Sequence, residues 1–554
     1  MRHPGNVPDT HVVTNQVPPL EGYDVFLADE ALAEAVTRFG AAGTADELGS
    51  LGALAGGAEA IGWGVDANRF LPELRTHDRY GHRIDEVRYV PAYHELMRTA
   101  VAAGLQGAPW QDERPGAHVR RAAGLIIWSQ VDGGHTCPIS MTYAAVPALR
   151  ADDELATEWS PPLAAREYDP APRPVAEKRG AIAGMAMTEK QGGSDVRANT
   201  TLAVPDGAGG WLLTGHKWFC SAPMSDVFLV LAQVVPGPGR AAVEGGGLTC
   251  FVVPNILPDG ERNQIRIQRL KDKLGNRSNA SSEIEFDGAF GRALGPLGRG
   301  VATIVEMVMA TRLDCVLGSA AMMRAAVAQA THHAAHRRAF GRELIDWPLM
   351  RNVLADLAVE SEAATLLGIR LAAAVDAGED DLRRLATAVA KFHVCKTAPP
   401  VVGEALECLG GNGYTEDSGM PRIYREAPLN SIWEGSGNVN SLDVLRAITR
   451  SPQSLAAVTA EIEAGSGADP RLDAAISRWR SGLATADEYS ARRLAETTAM
   501  LLQGSLLVRH GHPSVADAFC ASRLGGDWGV SFGTLPAGAD AAAIVARARP
   551  KLMR

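Results

Sequence analysis

The feature that most limits the fold is an island of strand-like sequence between two long helical tracts. From residue 181 to 300, branched and aromatic runs at 212–213, 227–235, 248–253, 265–267 and 284–286 are separated by Gly, Asp and Pro turns. Short strands in this spacing predict a small β-barrel. The run Val227-Phe-Leu-Val-Leu-Ala is apolar on both faces and should be central to it. On either side, apolar residues recur at intervals of three and four, the helical period. We therefore expect a mainly α chain with a central β domain. Its parts are an N-terminal helical domain over 1–180, a barrel over 181–300, a helical bundle over 301–450, and an additional helical domain over 451–554.

The first tract opens on an extended arm of about twenty residues, rich in Pro and Asn, followed by helical patterns at 32–38, 45–54, 71–75 and 93–104. Pro138 starts another that runs to Leu149. In the bundle, the helix from 301 is apolar almost all round (Ile304, Val308, Leu313, Val316, Leu317, Met322) and belongs inside. A second helix spans 352–377. A third starts at Asp380, and Pro399-Pro400 should end or kink it.

Composition narrows the class. At 46% apolar and 21% charged, the 554-residue chain is that of a soluble globular protein. The net charge of −10 argues against a surface that attracts nucleic acid broadly. The seven cysteines form no C-x-x-C pair, so neither zinc nor a disulfide framework is expected, and a reducing cytoplasm fits best. No segment has the length of apolar sequence that a membrane span requires.

Two stretches carry chemistry. The loop at Met185-Ala-Met-Thr-Glu-Lys-Gln-Gly-Gly-Ser-Asp195 gathers Thr188, Gly192, Gly193, Ser194 and Asp195, where backbone N–H groups can converge on a phosphate. Downstream, Gly215-His-Lys-Trp-Phe-Cys-Ser221 sets Trp218 and Phe219 beside a hydroxyl, a bed for a stacked ring with a polar atom to be read. Together they suit a flat, anionic cofactor. In Ser431-Ile-Trp-Glu-Gly-Ser-Gly-Asn438, the second stretch, one carboxylate stands between an aromatic residue and two glycines. Desolvation there should raise the pKa of Glu434 and make it useful as a base.

Thr-Glu-x-x-x-Gly-Ser-Asp followed by Gly-x-Lys-Trp-Phe resembles the flavin-binding β-domain of the acyl-CoA dehydrogenase family, and TEKQGGSDV with GHKWF looks like its AidB-type branch (adaptive response to alkylation). The resemblance implies an FAD-dependent CH–CH oxidoreductase. Glu434 would take the α-proton of a short or branched acyl-CoA while the β-hydride leaves for the flavin. The backbone N–H of Glu434 would face the thioester oxygen. The family's second position for the base is here Thr311, before Arg312.

The same resemblance implies cofactor contacts from Met187, Thr188 (pyrimidine), Gly193, Ser194 (pyrophosphate), Asp195, Phe219, Cys220 and Ser221 (isoalloxazine), with Trp433, Ser436 and Asn438 next to the base. Arg337 and Phe340, in a family-like Arg-x-x-Phe-Gly, and Gly410 and Gly411, in Gly410-Gly-Asn-Gly413, would serve the flavin of a neighbouring subunit. A homotetramer follows. Pro348 and Glu407 stand where many members have Gln, and Lys190-Gln191 replaces a Pro-Gly.

The tail admits a second reading. Eleven Lys and Arg there face ten Asp and Glu, and Arg478, Arg480, Arg492, Arg493 and Arg509 could gather into a strip for duplex DNA. The chain would then be a DNA-associated protective flavoprotein of the alkylation response. The plainer alternative is a helical domain that packs on the bundle. Three other features read blandly. His332, His333 and His336 form a solvated helix face and not a metal site; the glycines at 410–413 follow a helix and are no dinucleotide fingerprint; Cys137 and Ser140 lack a His–Asp partner.

Overall fold

The computed structural model describes residues 10–112, 114–236 and 245–552; the arm's first nine residues lie outside these. The N-terminal tract forms helices Glu30–Arg38, Ala45–Ala55, Ala58–Arg69, Pro91–Ala102, Ala117–Ser129, Thr136–Leu149 and Asp153–Ala164. Residues 71–75 are not helical. Glu73–His77 (β1) pairs antiparallel with Arg83–Arg88 (β2), closed by a turn in which Asp78 Oδ1 accepts the N–H groups of Tyr80 (2.8 Å) and His82 (2.9 Å). Five residues are too few to separate a helical period from a strand's alternation, and the partner that decides lies across a turn.

The described residues of the β island form seven strands: β3 (Ala183–Ala186), β4 (Leu202–Pro205), β5 (Trp211–Ser221), β6 (Val227–Val234), β7 (Leu248–Pro254), β8 (Ile265–Leu270) and β9 (Ser281–Leu294). Pairings run β6–β4–β5–β9–β7 and back to β6, so five strands close on themselves, with β3 added to β6 and β8 to β9. The barrel expectation holds. β6 is its centre, buried along nearly its whole length and bonded to β3, β4 and β7.

The bundle is built from helices Gly300–His336, Pro348–Asp376, Asp380–Glu407 and Gly437–Arg450. Pro348 opens the second at its first position, where a missing N–H costs nothing. The third continues through Pro399 and Pro400 instead of ending there. Burial of Ala398, Val401 and Val402 on the surrounding helices outweighs the lost backbone bonds.

The tail packs its helix Ala491–His510 against the second and third bundle helices and its last helix, Ala541–Ala548, against the second. N-terminal helices, bundle and tail share one continuous apolar core. Ion pairs lock that junction: Arg523 to Asp356 (2.5 Å) and Glu360 (2.7 Å), and Arg547 to Glu34 (2.5 Å) and Glu362 (3.0 Å). Among the described residues, no helix is long and apolar enough to cross a membrane.

Candidate flavin site and active site

The loop that follows β3 is tied to β5 from beneath. Glu189 and Lys217 are fully buried and paired at 2.8 Å. Glu189 also accepts from the N–H and hydroxyl of both Thr200 (2.7 and 3.0 Å) and Thr201 (3.1 and 2.7 Å). Burial would push this carboxyl up, but the Lys217 ammonium and those donors hold it well below the usual carboxylate range. The loop's edge is fastened by Trp218 N–H to Thr188 O (2.8 Å) and Lys190 N–H to His216 Nε2 (3.0 Å). Gln191, in place of a turn-forming Gly, donates to Glu189 Oε2 at 2.7 Å and braces the loop from within.

A bulge in the β5–β9 register between Lys217 and Cys220 turns the aromatic pair outward. Phe219 is half-exposed, and the Lys271 ammonium lies 3.2 Å from the Trp218 ring centroid and 4.6 Å from that of Phe219. Ser221 is half-buried at the strand end, with its Oγ 3.4 Å from Ser281 Oγ. Cys220 departs from the expectation. Its side chain points into the barrel core, and its carbonyl is taken by Ser282 Oγ at 2.8 Å. It therefore offers no side chain to a ligand.

Glu434 sits in the left-handed region at φ 56°, followed by Gly435 at φ 95°. A glutamate costs energy there and stays only if its surroundings over-determine it. Buried Lys391 donates to Trp433 O (2.7 Å) and Gly435 O (2.5 Å), Arg312 Nε donates to Glu434 O (3.1 Å), and Asn440 Nδ2 donates to Gly435 O (2.5 Å). Arg312 is braced in turn by Asp443 at 2.6 Å. Three successive carbonyls are thereby satisfied and the turn is fixed. The Glu434 carboxyl receives Thr311 Oγ1 at 2.6 Å. Its pKa is raised by burial, against the pull of Thr311, Lys391 and Arg312.

The two constellations meet at one apolar cluster formed by the helix Thr136–Leu149, the barrel and the helix Gly300–His336. Met187 and Trp433 both border it, beside Cys137, Met307 and Ala310. The Cys137 thiol lies beside Ser221 and feels the Glu434 charge; burial pushes it up to about 12, so it remains a neutral filler. Sequence reasoning gave no role to Glu189, Lys217, Lys391 or Cys137.

Other expected residues lie elsewhere. Gly193, Ser194 and Asp195 are exposed at the loop's tip, and Ser436 and Asn438 are exposed at the start of Gly437–Arg450. Arg337 donates to Asn15 O at 2.5 Å, at the end of the long helix. Phe340 is 94% exposed at φ 51°, and Gly410 and Gly411 are exposed, Gly410 at φ 60°. None of these four has a described contact with the loop 187–195. The histidines do not form a fully solvated face, and His336 is half-buried. His332 and His333 are buried, and His332 Nε2 donates to Pro18 O at 2.9 Å where the arm crosses them. No metal-holding group occurs among the described residues.

Three family descriptions match in tandem: the adaptive response protein AidB N-terminal domain over 15–170, the acyl-CoA dehydrogenase middle domain over 184–289 and the acyl-CoA dehydrogenase C-terminal domain over 298–449. The protein AidB of Escherichia coli K12 is 45% identical over 93% of this chain and 94% of its own. The chain belongs to the acyl-CoA dehydrogenase family, in its AidB branch. Acyl-CoA dehydrogenase family member 11 of Caenorhabditis elegans is 32% identical over 81% of this chain and 78% of its own. The structure of Caenorhabditis elegans ACDH-11 in complex with C11-CoA superposes with a TM-score of 0.84 at 29% identity, covering 93% of this chain and 94% of that one.

Acyl-CoA dehydrogenase family members are FAD-dependent, and the loop fits that cofactor. Among the described hydrogen bonds, the N–H groups of Gly193, Ser194 and Asp195 have no acceptor in the chain, an array suited to a phosphate. A Cβ on Gly193 would meet Thr188 Oγ1 at 2.5 Å, so only glycine lets the loop close there. Ser194→Asp is expected to weaken flavin retention in the purified protein by about fivefold or more. Like charges about 4 Å apart cost roughly 1–4 kcal/mol between bulk water and a protein surface. The ratio of flavin to protein absorbance reads this directly, and full occupancy would remove the phosphate assignment.

Proposed function

We propose that the chain is an FAD-dependent dehydrogenase of short or branched acyl-CoA thioesters. The observation that carries this is Glu434, the carboxylate that follows Trp433 at the apolar cluster bordered by Met187, desolvated and fixed on a turn that Lys391, Arg312 and Asn440 clamp. Glu434 takes the α-proton onto its carboxylate. Its backbone N–H stabilises the charge that develops on the thioester oxygen. The apolar wall of Cys137, Met307 and Ala310 keeps water from the reacting carbons. FAD, when bound, supplies the acceptor for the β-hydride. In support, a fold of the same kind takes C11-CoA in the nematode ACDH-11. Turnover with an artificial electron acceptor should convert an acyl-CoA into a product lighter by two hydrogens, and mass spectrometry of the CoA ester tests this.

We further infer a homotetramer in which Arg337, Phe340, Gly410 and Gly411 serve the cofactor of a second copy. Large apolar side chains exposed on the bundle, Phe340, Leu349 (84%) and Tyr414 (85%), support such an interface. The unpaired cysteines, all seven buried, suit the reducing cytoplasm.

One observation favours the DNA reading as an alternative. Arg492 and Arg493 are exposed at the start of Ala491–His510 and have no carboxylate partner among the described residues. The other arginines of the expected strip are engaged within the chain. Arg480 pairs with Glu463, Arg509 pairs with Glu461 at 2.6 Å, and Arg478 donates to Leu524 O at 2.9 Å. On this reading, Arg492→Glu with Arg493→Glu in the full chain weakens retardation of duplex DNA and lowers the salt slope by about one per lost phosphate contact. Equal retardation by both proteins, or none by either at low salt, makes the tail structural.

A further inference from the structure

Thr311 stands where one hydroxyl can serve both charge states of Glu434. It is buried on the helix Gly300–His336, with Oγ1 2.6 Å from Glu434 Oε2 and 3.1 Å from Val308 O. A hydroxyl has one proton to donate and two lone pairs to accept with. While Glu434 is ionised, the Thr311 proton is donated to the carboxylate. Once Glu434 carries a proton, its O–H donates to Thr311 Oγ1, and the hydroxyl proton turns to Val308 O, the back-bond open to Thr in a helix. No proton leaves Thr311 in the exchange. The contact persists in both states, and neither group loses its partner.

Other charged groups around Glu434 are committed elsewhere. Lys391, from Asp380–Glu407, gives two of its three donors to Trp433 O and Gly435 O. Arg312 bonds Glu434 O and Asp443, which also holds Arg384 at 2.8 Å. Asp314 is paired with Arg121, and Cys137 and Cys315 are buried thiols. Among the described hydrogen bonds, that of Thr311 alone reaches the Glu434 carboxyl.

We propose that Thr311 is a positioning residue for the base, holding the Glu434 carboxyl in one place before and after proton transfer through a hydrogen bond that reverses direction. This rests on the reading of Glu434 as the base. The charge-assisted bond to the carboxylate is the stronger of the two and opposes the burial that raises the Glu434 pKa, so removing the hydroxyl should raise it further.

The test uses holoprotein with Thr311→Val, which keeps the shape, Thr311→Ala as a second hydroxyl-free variant should Val not fold, and Thr311→Ser as the rescue. The infrared carboxylic-acid C=O band of Glu434, assigned by its absence from Glu434→Gln, is titrated with pH. Its midpoint should rise by about one unit in the hydroxyl-free variants and return in Thr311→Ser. The base must be ionised, so flavin reduction by acyl-CoA falls as pH drops through that midpoint. The acid limb of that rate should therefore move up by about one pH unit in the hydroxyl-free variants, with the rate recovering at higher pH. An unchanged infrared midpoint overturns the proposal. If Glu434→Gln is reduced as fast as wild type while the midpoint still moves, it is the base assignment that fails and the Thr311 contact stands.

Discussion

Glu434→Gln keeps its FAD and slows flavin reduction by acyl-CoA on the order of 10²-fold or more, the loss expected for a removed general base. The amide has the size of the carboxylate but cannot accept the α-proton. The substitution should leave the turn intact, because the clamps from Lys391, Arg312 and Asn440 fall on backbone carbonyls and not on the side chain. The strain at φ 56° is the same for both residues. Stopped-flow absorbance, with thermal unfolding as the control, separates the two effects. Equal reduction rates in the two proteins would remove the role from Glu434.

A second large effect is expected beneath the loop. Lys217→Met leaves the Glu189 carboxylate buried without its cation, which costs about 3–5 kcal/mol. The loop should loosen, so that stability and FAD retention fall together. Adding Glu189→Gln to Lys217→Met should restore much of the stability, because a neutral side chain replaces the stranded charge. The folded-state pKa of Glu189 is depressed. Its stabilisation is therefore full above the ordinary carboxylate pKa and is lost as pH falls through the lower folded value. Denaturant unfolding of wild type and the two variants, read with flavin content, checks both parts. A Lys217→Met protein as stable as wild type would contradict the buried pair's importance.

Much of the barrel was legible because strand alternation and turn residues are local signals, and β6 showed its central place by being apolar on both faces. The position of Cys220 was legible too, since alternation alone puts it opposite Phe219 and Ser221, yet the motif's wording obscured it. What the sequence withheld were partners distant in the chain. Glu189 and Lys217 each stood in a motif, but nothing local says that they touch. Thr311 read only as a position without a base, and its hydroxyl acquires meaning from Glu434 across the bundle. The same holds for the tail, where the sign of each charge was plain while the carboxylates that engage Arg480, Arg509, Arg523 and Arg547 lie on other helices. At Pro399-Pro400 the local rule allowed an end or a kink, and packing carries the helix on through both prolines.

The central claim is that Glu434 and a bound flavin form a working dehydrogenase site, and anaerobic mixing of the purified holoprotein with short and branched acyl-CoA thioesters tests it most directly. The oxidised flavin absorbance should bleach with at least one of them, in step with appearance of the enoyl-CoA. A flavin that stays oxidised with every thioester, in a protein that chemical reductants still bleach, would contradict it.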